Sequence, residues 1–141
     1  MHGDTRSHAF EAKTACLRDV MEFVRRGALA ASLPELCIGQ LELVVEELFV
    51  NVCRYAYPDG APGIATISYC IPAAGELTVE VADQGIEFNP LETPPVDVNA
   101  DLDSRPVGGL GIHLLKGLAS SLDYRREDGS NRLTFRISAD S

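Results

Sequence analysis

The chain has 141 residues, of which 45% are hydrophobic, and its formal net charge is −9. This length predicts one domain, residues 1–141, and the apolar fraction is enough for a core. The acidic balance lacks the basic patch that nucleic-acid binding needs. No run of about 18 apolar residues and no signal-peptide pattern occurs, so we expect a cytoplasmic protein that does not enter a membrane.

The four cysteines are irregularly spaced, and no Cys-x-x-Cys or neighbouring His pair completes a zinc pattern. A disulfide is not expected in the cytoplasm. The sequence therefore predicts reduced thiols in or near the core. These are Cys16, Cys37, Cys53 and Cys70.

Apolar periodicity in the first part of the chain predicts a strand over residues 7–12 and a helix over residues 13–32. Ser32 is a candidate cap for a second helix, with Pro34 in its first turn. The buried side of the first helix is predicted to carry Leu17, Val20, Met21, Val24 and Leu29.

The second helix is predicted to end before Pro58. Its buried side is predicted to carry Leu41, Val44, Val45, Leu48, Val52 and Tyr55. Glu47, Asn51 and Arg54 share one narrow sector beside that stripe. One interpretation is a polar pair and a salt bridge on a solvated face. The other is a ligand site, in which the carboxylate is a base, the amide binds Mg²⁺ and the guanidinium meets phosphate.

Two alternating segments follow, over residues 64–71 and 77–83, and they predict an antiparallel hairpin. Asp83 ends the second strand, and Gly85 follows it. An ordinary Asp-x-Gly turn would explain that pair. Residues 89–107 are then irregular and rich in proline and aspartate. A loop of this length in a small domain is usually functional or disordered, so we expect a mobile lid.

Gly108, Gly109 and Gly111 precede an apolar helical run. Glycines at a helix start let the backbone approach a phosphate, although this pattern is neither a dinucleotide fingerprint nor a P-loop. A second hairpin is predicted over residues 122–128 and 132–138. The order β-α-α-β-β-lid-α-β-β indicates an α+β protein, a two-layer sandwich of a mixed, mainly antiparallel sheet with helices on one face.

Three motifs, taken in order, resemble the GHKL ATPase superfamily and in particular its anti-sigma factor serine kinases. NVCRYAYP resembles the tail of the N-box, DQGIEFNPLE the first glycine box, and VGGLGIHLLKGL the second glycine box. LDYRREDGSNRLTFRI resembles the terminal hairpin, so the resemblance spans essentially the whole chain. Glu87 stands where other branches carry a second glycine. The serine-kinase branch also lacks that glycine, so Glu87 favours a resemblance to this branch. The resemblance implies a Bergerat-type ATP-binding fold.

The resemblance also implies roles for the helix residues. Asn51 would bind the Mg²⁺ that bridges the nucleotide phosphates. Glu47 would act as base toward the attacking hydroxyl or water. Arg54 stands where relatives often place a basic residue near the phosphates.

The glycine boxes imply the remaining roles. Asp83 would accept a hydrogen bond from the adenine amino group, and Gly85 would leave room for the base. Gly109 and Gly111 would present N–H groups to the phosphates. Arg105, near the end of the lid, is the candidate to reach the γ-phosphate or the partner.

The function implied is an ATP- and Mg²⁺-dependent serine/threonine-protein kinase that is also an anti-sigma factor. It would bind a sigma factor and phosphorylate a STAS-type anti-anti-sigma antagonist. Relatives are often homodimers. No dimerisation and phosphoacceptor helix pair precedes the domain, so a whole sensor histidine kinase is not expected. Two alternatives stay open: a nucleotide-binding regulatory module without kinase activity, and a detached histidine-kinase catalytic domain.

Overall fold

The computed structural model describes residues 4–58, 61–92 and 110–139. Its helices are α1 (Leu17–Ala30), α2 (Glu35–Asn51) and α3 (Leu110–Leu118). Its strands are β1 (Arg6–Glu11), β2 (Ile64–Cys70), β3 (Glu76–Asp83), β4 (Ser121–Glu127) and β5 (Ser130–Ser138). The strands form one sheet in the order β1-β2-β3-β5-β4. Every neighbouring pair is antiparallel, so the α+β prediction is confirmed, and the sheet within these ranges is wholly antiparallel rather than mixed.

The two faces of the sheet differ as the alternating strands predict. On the inner face, Val79 of β3 lies opposite Tyr69 of β2 and Phe135 of β5, and all three are buried beneath the helices. The outer face is polar. There the Glu80 carboxylate accepts a 2.9 Å hydrogen bond from Arg132 Nη1. This division makes the domain a two-layer sandwich with the core between the sheet and the helices.

The buried side of α1 differs from the prediction at its last turn. Val24 and Ala28 are buried, but Leu29 is 54% exposed. Ala28 lies four residues after Val24 and keeps the helical period, whereas a spacing of five turns Leu29 away from the core. A Cβ on Gly27 would lie 2.9 Å from the Tyr69 ring, so α1 crosses the sheet too closely there for a side chain.

Ser32 does not cap α2, because it belongs to the end of α1. Its φ of 62° is left-handed, and its N–H donates to the Leu29 carbonyl at 3.0 Å. The Leu33 N–H donates to the Ala28 carbonyl at 3.1 Å. This pair of bonds is the Schellman arrangement that closes a helix. Pro34, in an extended conformation, is the residue before α2, and it gives no side-chain cap.

The C-terminal end of α2 widens into a π-helical turn over Val52–Ala56. The wider turn adds one residue to the helical period. Leu48, Val52 and Ala56 therefore continue the buried stripe, while Tyr55 is 49% exposed, and the prediction that Tyr55 is buried is wrong. No helix within the described ranges is long and apolar enough to cross a membrane.

The four cysteines are free and partly buried, as predicted. Cys53 lies in the π-helical turn, and burial raises the pKa of its thiol above the ordinary value. The neighbouring Cys16 raises that pKa further. Cys53 is therefore protonated and weakly reactive at neutral pH, as expected of a structural thiol.

Candidate functional site

The site is organised around the carboxylate of Asp83, which is only 9% exposed at the end of β3. Its Oδ1 atom accepts hydrogen bonds from the Gly85 backbone N–H and from Asn131 Nδ2, both at 2.9 Å. No donor among the described residues bonds to Oδ2. Leaving a buried carboxylate oxygen without a donor is costly, so this atom suits an N–H group supplied by a ligand.

Asn131 lies directly opposite Asp83 in the pairing of β3 with β5, and it uses its full hydrogen-bonding capacity. Its Nδ2 atom donates to Asp83 Oδ1 at 2.9 Å and to the Ile86 carbonyl at 2.7 Å. Its Oδ1 atom accepts from the Tyr124 hydroxyl at 2.6 Å and from the Phe88 N–H at 3.1 Å. These four bonds fix the orientation of the Asn131 amide, and the amide in turn fixes the Asp83 carboxylate.

Burial raises the pKa of the Tyr124 phenol, and the negative charge of Glu87 raises it further. The phenol therefore stays protonated at neutral pH and can donate to Asn131. Neither Tyr124 nor Asn131 was among the site residues predicted from the sequence. The register between β3 and β5 would have indicated Asn131 as a site residue, because it places Asn131 directly opposite Asp83.

Gly85 is required by a close approach of two backbone segments. A Cβ at this position would lie 2.1 Å from the Ala56 carbonyl oxygen, at the end of the π-helical turn. The Ile86 N–H donates to the same carbonyl at 2.9 Å, and Arg126 Nη1 donates to the Gly85 carbonyl at 2.8 Å. The sequence predicts that Gly85 leaves room for a base. In the structure, the direction of its missing side chain is filled by the backbone of the π-helical turn at Ala56.

A pocket between α2 and the sheet brings Asn51 and Asp83 together, two of the residues predicted from separate motifs. Tyr124, Asn131 and Phe88 also line it. Its volume of about 30 Å³ holds a water molecule and is far smaller than a purine. The polar groups suit a base, and the pocket must widen to admit one.

The other predicted residues of α2 do not line this pocket. Glu47 is half-buried where α2 meets α3, since a Cβ on Gly111 would lie 2.4 Å from the Glu47 Cβ. Gly111 stands in the first turn of α3, where backbone N–H groups lack helical partners. Arg54 is exposed, because the π-helical turn begins before it and shifts its direction. Arg105 and Gly109 lie outside the described residues.

The chemistry of Asn51 is compatible with a magnesium nucleotide. Within the described ranges, no group of three or more His, Cys, Asp or Glu side chains could hold a metal ion. Mg²⁺ commonly takes one or two oxygen ligands from the protein and fills its other positions with phosphate oxygens and water. The amide oxygen of Asn51, in the same pocket as Asp83, is a ligand of that kind.

The beginning of the predicted lid is ordered. Pro90–Glu92 form a 3-10 turn, and Pro90 is buried against the pocket. Asn89 Oδ1 accepts a 2.9 Å hydrogen bond from the Leu91 N–H. The rest of the predicted lid, residues 93–107, lies outside the described residues.

Two curated relatives resemble the chain in sequence. The serine/threonine-protein kinase BtrW of Bordetella bronchiseptica is 28% identical over 94 residues, which cover 67% of this chain and 66% of the relative. The serine-protein kinase RsbW of Listeria monocytogenes serovar 1/2a is 31% identical over 97 residues, covering 65% and 60%. The chain thus spans less than two thirds of each relative.

Solved structures show the same fold. The RsbU and RsbW domains of a Mycobacterium tuberculosis protein match 96% of this chain and 32% of that chain, with a TM-score of 0.65 at 13% identity. A blue-light activated histidine kinase of Erythrobacter litoralis matches 76% of this chain and 32% of that chain, with a TM-score of 0.52 at 22% identity. Residues 10–137 match the family model described as a histidine kinase-like ATPase domain, and the chain belongs to that family.

Proposed function

We propose that the chain is an ATP- and Mg²⁺-dependent serine/threonine-protein kinase that also acts as an anti-sigma factor. Its substrate would be a STAS-type anti-anti-sigma protein. The observation that carries the proposal is the open Oδ2 atom of buried Asp83, in the same pocket as the amide of Asn51. One pocket thus offers a hydrogen-bond acceptor for a base, Asp83 Oδ2, and an oxygen that can bind a metal ion, from the Asn51 amide.

Asp83 Oδ2 accepts a hydrogen bond from the adenine amino group in this proposal. Guanine presents a carbonyl oxygen at the corresponding position, and an oxygen facing a carboxylate is repelled. Asn131 prevents the carboxylate from turning, because it holds Oδ1 at 2.9 Å. The site should therefore favour ATP and ADP over GTP.

Asn51 would hold the Mg²⁺ ion, which would neutralise phosphate charge when bound. The N–H groups of Gly109 and Gly111 would bind phosphate oxygens, and the helix dipole at the start of α3 favours the negative charge. Phosphoryl transfer needs mainly positioning and charge neutralisation from the protein, which suits a domain of this size.

Glu47 is the proposed base toward the attacking hydroxyl. It lies on α2 one turn before Asn51 and contacts the first turn of α3, so it borders the proposed phosphate region. Arg54 and Arg105 are the proposed further contacts to phosphate oxygens or to the partner. The names of BtrW and RsbW support a hydroxyl acceptor in the substrate.

The decisive experiment incubates the protein with γ-labelled ATP and each STAS protein encoded in the same genome. Transfer of label to a serine or threonine, stable to acid, is expected. Acid-labile label would indicate phosphohistidine and a detached histidine-kinase domain. Binding of ATP without transfer to any STAS protein would favour the regulatory module. An Asn51→Ala variant is the control, because loss of the metal ligand should lower both nucleotide affinity and transfer.

A further inference from the structure

The outer side of the helical layer carries three exposed leucines. Leu36 and Leu43 on α2 are 75% and 57% exposed, and Leu110 at the start of α3 is 71% exposed. We call these three residues the leucine patch. Single exposed leucines are common on protein surfaces, whereas neighbouring ones are typical of an interaction site.

The leucine patch is continuous. Leu36 and Leu43 are two helical turns apart on the same side of α2, a separation of about 10 Å. Gly39 lies between them, and a Cβ there would meet no atom within 4 Å, so the surface between the leucines is open. The start of α3, which carries Leu110, packs against α2 at Leu43, since a Cβ on the next residue, Gly111, would lie 3.4 Å from the Leu43 carbonyl oxygen.

The leucine patch leads directly to the proposed catalytic region. Glu47 follows Leu43 by one helical turn, and its Cβ is the nearest atom to the Cβ position of Gly111. A protein whose hydroxyl group reaches Glu47 therefore comes close to Leu43, one helical turn away. This continuity favours the phosphorylated protein as the occupant of the patch.

The charge beside the leucine patch on α2 is negative. Glu42 and Glu35 are both bonded to Arg25, at 3.0 and 2.8 Å, so part of their charge is neutralised. Glu46 is exposed and has no ion pair with a described residue, and the whole chain carries a net charge of −9. The complementary surface on a partner has apolar side chains flanked by Lys or Arg.

We propose that the leucine patch docks the anti-anti-sigma substrate, and this proposal rests on the proposed function. The substrate would contact the patch with an apolar side chain that is bordered by basic residues. Docking there holds the substrate's hydroxyl close to Glu47. The sigma factor and a second copy of this chain are the competing occupants. Binding of the sigma factor or of a second copy to the leucine patch would not require the patch to lie beside Glu47.

The test compares Leu36→Gln and Leu43→Gln with the matched control Leu29→Gln, which changes an exposed leucine on α1. Calorimetry with a non-hydrolysable ATP analogue measures the binding of each STAS protein from the same genome, without chemistry. Both patch variants should bind the substrate about tenfold or more weakly, as expected for anchor residues. The control should bind like the parent, and nucleotide affinity should be unchanged in all three.

A charge reversal tests whether basic residues of the substrate face the negative charge beside the leucine patch. Glu46→Lys should weaken substrate binding and reduce its salt dependence, whereas Glu22→Lys on α1, with the same change in net charge, should do neither. Unchanged substrate binding in the leucine variants would overturn the proposal. So would a selective loss of sigma binding or of self-association.

The docking proposal and the proposed function fail in different ways. If the parent binds a STAS protein but transfers no phosphate, the kinase proposal fails, and the calorimetric comparison still decides the docking site. If no STAS protein binds the parent at all, both proposals are overturned. If the parent phosphorylates its substrate and the leucine variants bind that substrate normally, only the docking proposal is overturned.

Discussion

The two ends of the candidate site are built very differently. Around Asp83, the side chain of Asn131 makes four hydrogen bonds, and both residues are buried in paired strands. At the other end, Glu47 on α2 is half-buried, and Arg54 is exposed within the π-helical turn that follows α2. The Asp83 and Asn131 side chains at the proposed base-binding end are therefore held in position before a ligand arrives, whereas the pocket beside them must widen to admit a base. At the proposed phosphate end, the position of the exposed Arg54 side chain depends more on what binds there.

This contrast separates recognition from chemistry. A hydrogen-bonded network in a sheet changes little between states, so it can discriminate one base from another at low cost. Long charged side chains at a surface lose rotamer freedom when they bind phosphate. Substitutions at the Asp83 end should alter stability and base selectivity, whereas substitutions at the Glu47 end should alter rate.

The largest effect is expected from Glu47→Gln. The amide keeps the shape of the side chain but is not a base, so phosphotransfer to the substrate should fall by about 10²–10⁴-fold. ATP affinity, measured by calorimetry, should stay close to that of the parent. A variant that phosphorylates its substrate at the parent rate would show that Glu47 is not the base.

Asn131→Ala should give the largest loss of stability. It leaves the partly buried Tyr124 hydroxyl, Phe88 N–H and Ile86 carbonyl without their partner. It also removes the buried hydrogen bond to Asp83, and each unpaired group is costly. The free energy of unfolding in urea should fall by about 2–3 kcal/mol. The matched control is Asn89→Ala, which removes one local hydrogen bond to Leu91 and should cost less. Equal losses in the two variants would contradict a central role for Asn131.

Asp83→Asn sharpens the test of base recognition. The amide oxygen can still accept from Gly85 and Asn131, so folding should be preserved, but an N–H group would then face the adenine amino group. ATP affinity should fall about tenfold, the equivalent of one charged hydrogen bond, while weak GTP binding should not fall further. Equal affinities of the parent protein for ATP and GTP would refute the assignment of Asp83 to adenine.

Tyr124→Phe should have the smallest effect, about 1 kcal/mol, because it removes one hydrogen bond to Asn131. The pKa of the Tyr124 phenol is raised on folding, so its stabilising contribution is complete below the ordinary tyrosine pKa of about 10. That contribution is lost as the pH rises through the higher folded pKa. Urea unfolding across this alkaline range should show a steeper loss of stability for the parent than for the variant. Parallel curves would contradict the involvement of Tyr124.

Most of the fold was predictable because it depends on local periodicity. Alternation in residues 64–71 and 77–83 correctly indicated two strands that pair antiparallel, and the side of each that carries Ile67 or Val79 is buried. The incorrect predictions, for Tyr55 and Ser32, have physical causes that cannot be read from the periodicity of apolar residues. Tyr55 is exposed because a π-helical turn changes the number of residues per turn, and Ser32 adopts a left-handed conformation to close α1. The spacing of residues in a regular helix predicts neither the π-helical turn nor the left-handed residue.

The candidate site was predictable only where a motif is local. Asp83 and Asn51 were identified from the sequence motifs around them, and both line one pocket in the structure. Asn131 lies 48 residues from Asp83 and is connected to it by strand pairing alone. Its importance depends on which strands are neighbours in the sheet, and that follows from tertiary packing rather than from a local pattern.

The close approach of Gly85 to the Ala56 carbonyl has a consequence for interpreting related sequences. Because the glycine is needed for the backbone to pack, it should persist in relatives that have lost nucleotide binding altogether. If Asp83 binds the base as proposed, the Asp-x-Gly motif contains a glycine that the backbone packing requires and an aspartate on which base recognition depends. In a degenerate relative, a retained glycine beside a replaced aspartate would indicate an intact domain that no longer recognises a base.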